Sequence, residues 1–215
     1  MFVGDKRLDE IEGLLCFDNV VLKNKELNIL FHSSYEDACF YLQKKYGIPN
    51  GNYFLTEECK SVNSKIKRGK EGLFLHHVFE YNREEPSVNN LSIAKNAKEY
   101  SFEFQKGENL CYCNYLEHFI LHLKIFEMRM ISLKNTIWQI FFKDGVINHL
   151  VPKLNDIYHN MCQNKSPWHQ TAVSLIKNDA QDYFTLRDNV LEKILKNFSN
   201  LMYGRTRMLT ENKLY

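Results

Sequence analysis

The 215-residue chain reads as an α+β protein, and three observations carry that reading. Two short apolar runs, residues 73–80 and 109–113, have the length of strands and are separated by a polar stretch. An apolar stripe at helical spacing follows the second run at once. Beyond residue 131 the apolar residues keep that helical spacing. On this pattern the chain divides into a small α/β segment (1–71), a strand–strand–helix core (72–130) and a helical region (131–215).

The elements follow in order. Leu27-Asn-Ile-Leu-Phe31 is expected as a strand. Residues 34–46 are expected as a helix, with Ser33 or Ser34 as N-cap and an acidic first turn; Gly47 and Pro49 end it. Asn50-Gly51 marks a turn before Tyr53-Phe-Leu55. This helix-then-glycine pattern is common and carries no chemistry by itself. Gly72 starts the first core strand, expected over 73–80. Residues 81–107 are polar and contain Pro86 and Asn89-Asn90, which implies a long loop with a short helix near 92–98. Residues 109–113 form the second strand. Asn114 is placed to cap the helix whose stripe is Leu116, Phe119, Ile120, Leu123 and Phe126. Helical spacing returns at 138–142, 146–157, 171–176 and 186–198, with Gly145, Pro152 and Pro167 between them, and a basic tail follows Tyr203. Trp138 and Trp168 are expected in the core.

Composition narrows the class. An apolar content of 44% and 13% aromatics are ample for a core. No apolar run is long enough to span a bilayer and the N-terminus lacks a signal-peptide core, so the expectation is a cytoplasmic protein with no membrane partner. The six cysteines are scattered and are expected as free thiols; Cys111-x-Cys113 has the wrong spacing for half of a zinc finger. A net charge of +2 means that any nucleic-acid footprint is local. The run Lys60, Lys65, Lys67, Arg68 and Lys70 contains no acidic residue and is the best site for phosphate contacts. Arg83 and Lys95, between the strands, are further ones.

The histidines carry the chemistry. Four of the eight lie in the core: His76 and His77 side by side in the first strand, then His118 and His122 four residues apart. That spacing puts two imidazoles on one helix face, one turn apart. With a third from the neighbouring strand they make a three-ligand metal site with open positions, a geometry suited to hydrolysis. His32, His149, His159 and His169 have no partner at ligand spacing. Glu117 is rotated about 100° from His118 and is expected as a surface carboxylate.

A His-His pair, then Asn109-Leu110, then His118-x-x-x-His122 resembles the HNH nucleases, the ββα-metal or His-Me finger family, in the histidine-rich variant of the colicin DNases. The resemblance covers about residues 72–130. It implies a ββα-metal core, with His76, His118 and His122 as ligands of one divalent ion. It makes His77 the general base and Asn109 the residue that buttresses the loop between the strands. Three nitrogens favour zinc, nickel or manganese over magnesium. The implied activity is metal-dependent hydrolysis of phosphodiester bonds in DNA, as a restriction, phage-defence or mobile-element endonuclease. The C-terminal helices would then be a homodimer surface. The alternatives are a nucleic-acid-binding protein with a silent HNH fold, and an HNH-type RNase or toxin. The 32 residues from His77 to Asn109 exceed the gap in compact members, an insertion that a loop tolerates.

Overall fold

The computed structural model describes residues 20–81, 90–132, 146–160 and 166–189. Arg83, Trp138, Cys16, Cys162 and the basic tail lie outside the described residues. The backbone groups into two compact units, one of residues 24–180 and one that includes residues 20–23 and 181–189. The larger unit mixes helices with a two-stranded sheet, an α+β arrangement.

Helix α1, Lys25–His32, occupies the run expected as a strand. Asn24 caps it, its side-chain oxygen accepting from the amides of Glu26 and Leu27. Leu27, Leu30 and Phe31 then fall on one buried face at helical spacing. A five-residue apolar run fits both periods, and the cap decides between them. Helix α2, Tyr35–Tyr46, starts at Ser34 as expected, and buries Tyr35, Ala38, Cys39 and Leu42 along one stripe.

Strands β1, Phe74–His77, and β2, Leu110–Cys113, pair antiparallel with His76 opposite Cys111 and His77 opposite Leu110. Strand β1 is shorter than expected, because the chain curls into a 3₁₀ turn over Val78–Glu80. The short helix α3, Ala94–Ala97, lies in the connection between the strands, where the sequence places one.

Helix α4, Tyr115–Ser132, begins with a reciprocal cap. The Asn114 side chain accepts from the amides of Leu116 and Glu117, and the Glu117 carboxylate accepts from the Asn114 amide. Leu116, Phe119, Ile120, Leu123 and Phe126 are all buried, so the expected stripe is the core-facing one. Helix α4 packs on both strands and on α1 and α2, and α2 lies against β2. Helix α5, Val151–Asn160, follows a π-helical turn over Val146–Leu150. Helix α6, Pro167–Ser174, begins at Pro167 and packs against the turn at Gly69–Glu71. Trp168, expected in the core, is 43% exposed; the buried face of α6 is His169, Ala172 and Val173. In the smaller unit the Lys23 amide donates to Asp182, and Tyr183 and Leu186 are buried.

No helix among the described residues is long and apolar enough to cross a membrane. Cys39, Cys59, Cys111 and Cys113 are buried free thiols.

Gly107 is where the inter-strand connection meets the turn after α2. A Cβ there would lie 2.2 Å from the Pro49 carbonyl oxygen and 2.9 Å from that of Gly51. Backbone cannot yield as a flexible side chain does. Gly107→Ala should therefore lower stability by about 2–3 kcal/mol, read as a lower urea midpoint with an unchanged slope. An unchanged midpoint would contradict the close packing.

Candidate metal centre

Strand β1 and helix α4 together present three imidazoles. One nitrogen from each of His76, His118 and His122 lies within 4.8 Å of the other two, and the Nε2 atoms of His118 and His122 are 3.0 Å apart. Ligands 2.0–2.1 Å from a tetrahedral ion stand about 3.3–3.4 Å apart, so little movement separates this arrangement from a coordination shell. The His118–His122 pair follows from the helical spacing. His76 joins them because α4 packs on β1.

The His76 ring is fixed by a residue of the first segment. The Tyr35 hydroxyl lies 2.9 Å from His76 Nε2 and donates to the Val78 carbonyl at 2.9 Å. Burial pushes the Tyr35 phenol well above its usual range, so the hydroxyl keeps its one proton. With that proton committed to Val78, the oxygen accepts from His76 Nε2–H. The lone pair of His76 is then on Nδ1. That Nδ1 is buried and has no hydrogen-bond partner among the described residues. An orphaned buried nitrogen is costly unless something else is meant to meet it, and a ligating imidazole held through its other nitrogen is the usual form of a metal site. Tyr35 sits at the start of α2, the helix to which the sequence assigned no chemistry.

The electrostatics agree. Burial, with the neighbouring imidazoles of His122, His118 and His77, pushes His76 well below 6.5, and burial brings His118 down to about 4. Both rings are neutral near pH 7, so they can take a metal without first losing protons.

Glu80 also enters the site, a residue outside the histidine pattern. Along an extended strand it would lie about 13 Å from His76. The 3₁₀ turn instead brings its Oε2 to 3.8 Å from His76 Nδ1 and 3.4 Å from His122 Nε2. The other oxygen, Oε1, is 3.9 Å from His77 Nδ1. Phe79, one residue earlier, stacks on Phe104 with ring centroids 4.4 Å apart, which ties this turn to the one over Phe102–Gln105.

His77 is turned away from the three nitrogens, as alternation along a strand requires. Its ring lies 4.6 Å from that of Tyr53, and its Nε2 is 3.0 Å from Gln105 Oε1. The Gln105 amide nitrogen donates to the Leu91 carbonyl at 3.3 Å, which leaves Oε1 to accept from His77 Nε2–H. The free lone pair of His77 is therefore also on Nδ1. Burial brings this ring down to about 4, and only 1% of the residue is exposed. Asn109 donates from Nδ2 to the Glu103 carbonyl at 2.8 Å, tying down the turn that carries Gln105.

The remaining positions fall outside this cluster. Glu117, expected on the surface, is buried: besides closing the α4 cap, it accepts from Lys45 Nζ at 2.9 Å and from the Tyr46 hydroxyl at 3.1 Å. Helix α2 covers the face that rotation alone would expose. Lys60, Lys65, Lys67, Lys70 and Lys95 are exposed. Arg68 is engaged internally, with its guanidinium on the Glu71 carboxylate, on the Tyr46 carbonyl and over the Tyr112 ring. It differs in this from the four lysines with which the sequence groups it.

Comparison of the chain with models of protein families, with curated proteins and with solved structures finds no match.

Proposed function

We propose that this chain is a metal-dependent endonuclease that hydrolyses phosphodiester bonds in DNA, with an HNH-type centre built from β1, β2 and α4. The observation that carries the reading is the buried, unpartnered Nδ1 of His76, held by Tyr35 toward the nitrogens of His118 and His122. Three converging imidazoles suit zinc, nickel or manganese. When bound, the ion supplies positive charge against the scissile phosphate and the departing 3′ oxygen.

The chain's own residues have separate tasks. His76, His118 and His122 hold the ion, and Tyr35 fixes the tautomer of the first. His77 takes the proton of the attacking water on Nδ1, the atom that Gln105 leaves bare. Water adds to phosphorus as the bond to the 3′ oxygen breaks, which leaves a 5′ phosphate and a 3′ hydroxyl. Asn109 keeps the Gln105 turn in place. The exposed lysines at 60, 65, 67 and 70 precede β1 and supply a local, salt-sensitive grip on the phosphate backbone. Restriction, phage defence or a mobile element is the biological setting this favours.

The test uses supercoiled plasmid and a structured RNA, each with magnesium, manganese, nickel or zinc. The parent chain should give nicked or linear plasmid. His77→Ala should give neither while retaining its metal. Cleavage of RNA alone would move the reading to an RNase, and equal cleavage by the two proteins would remove His77 from the base role.

A further inference from the structure

We propose that Glu80 is a fourth protein donor to the same ion, through Oε2, so that the centre is three imidazoles and one carboxylate. The inference rests on the metal centre proposed above and extends it to a residue that the histidine pattern does not contain.

The argument turns on which atoms the carboxylate faces. A carboxylate that merely orients a ligating histidine sits behind the ring, on the nitrogen that does not bind metal. Glu80 does the opposite. The Nε2 of His76 is taken by Tyr35, and Oε2 lies 3.8 Å from Nδ1, the nitrogen left for the ion. On His122 it lies 3.4 Å from Nε2, the atom that faces His118. Oε2 is thus on the inner side of both rings. Its separations of 3.8 and 3.4 Å from them are near those of neighbouring ligands around one ion, and a shell that widens to five positions keeps one open for the phosphate.

The local fold explains how the residue arrives there. Strand β1 stops at His77, and the 3₁₀ turn over Val78–Glu80 folds the carboxylate back under the strand end. Glu80 is only 9% exposed. A carboxylate that far out of water needs favourable partners, and a divalent ion at about 2.0–2.2 Å would be a strong one. The second oxygen, 3.9 Å from His77 Nδ1, places one carboxylate between the ion and the imidazole on the other side of the strand. A charged oxygen beside three nitrogens also lowers the net charge of the loaded centre to +1 and fits zinc, manganese or iron better than copper(I).

The test reads metal binding rather than turnover. Zinc affinity of the full chain and of Glu80→Gln is measured by competition with a chromophoric chelator, and the cobalt-loaded forms are compared by visible absorption. Glu80→Gln, shown folded by circular dichroism, should bind zinc about 10²-fold more weakly and give an altered cobalt spectrum. Equal affinity with an unchanged spectrum overturns the assignment while leaving the three histidines in place. Should Glu80→Gln not fold, anomalous diffraction from zinc-loaded parent crystals decides the matter. Oε2 within about 2.3 Å of the zinc supports the proposal, and a separation beyond about 3.5 Å overturns it. A parent chain that takes up no zinc overturns the whole centre, a result distinct from the loss of Glu80 alone.

Discussion

His118→Ala is expected to weaken zinc binding by at least about 10³-fold, Tyr35→Phe by about 10–100-fold, and His77→Ala hardly at all. The three variants separate three distances from the ion. His118 contributes one of the converging nitrogens, so its loss removes a bond that water must replace. Tyr35 touches only the far nitrogen of His76. Without the hydroxyl, His76 loses the acceptor that keeps its proton on Nε2, and part of the population then carries the proton on Nδ1, where it blocks the ligand position. The Val78 carbonyl loses its donor as well, so Tyr35→Phe should also cost about 1–3 kcal/mol of stability. His77 projects to Gln105 and Tyr53, away from the three nitrogens. Competition titration with a chelator gives all three affinities. Parent-like affinity in His118→Ala would remove the ligand assignment, and equal losses in all three would point to general unfolding.

The histidine order was legible because each of its signals is local. The spacing of four from His118 to His122 defines one helix face, and alternation along β1 separates His76 from His77. The start of α4 was legible for the same reason, since Asn114 and its stripe lie within a few residues of each other. The supporting groups were not. Tyr35 reaches His76 from 41 residues away, and Gln105 reaches His77 from 28. No period in a single sequence encodes such contacts. Glu80 is close in sequence but was hidden by the expectation that β1 runs on to residue 80; a strand carries the carboxylate away, and the 3₁₀ turn returns it. Glu117 was misplaced because helix rotation describes one helix, whereas α2 covers that face and brings Lys45 and Tyr46 to it. At α1 the apolar run was ambiguous and Asn24 was the overlooked signal.

The second large effect concerns acid and the metal-free chain. His77 and His118 are held near 4, against an ordinary value of 6.5, and His76 is also held well below 6.5. The unfolded chain therefore binds protons that the folded chain refuses. Stability from these neutral rings is complete above about pH 6.5 and is lost as pH falls toward 4. Each ring held near 4 accounts for about 3 kcal/mol over that window, a large part of the 5–15 kcal/mol typical of a domain. In chelator, the unfolding free energy from urea titrations should fall steeply between pH 6.5 and 4.5. Near pH 5.5 each buried ring adds about 1.4 kcal/mol per pH unit to the slope. Carboxylates titrate in the same range, so the informative quantity is the difference between chains. His77→Gln removes one titrating ring and leaves an amide facing Gln105, and its slope should be lower by about that one increment. Zinc should move the loss to lower pH, because it binds the same neutral nitrogens and competes with protons for them. Identical slopes for the parent chain and His77→Gln would mean that His77 takes up its proton in the folded state as readily as in the unfolded one. Burial between Gln105 and Tyr53 would then not lower the ring's affinity for a proton.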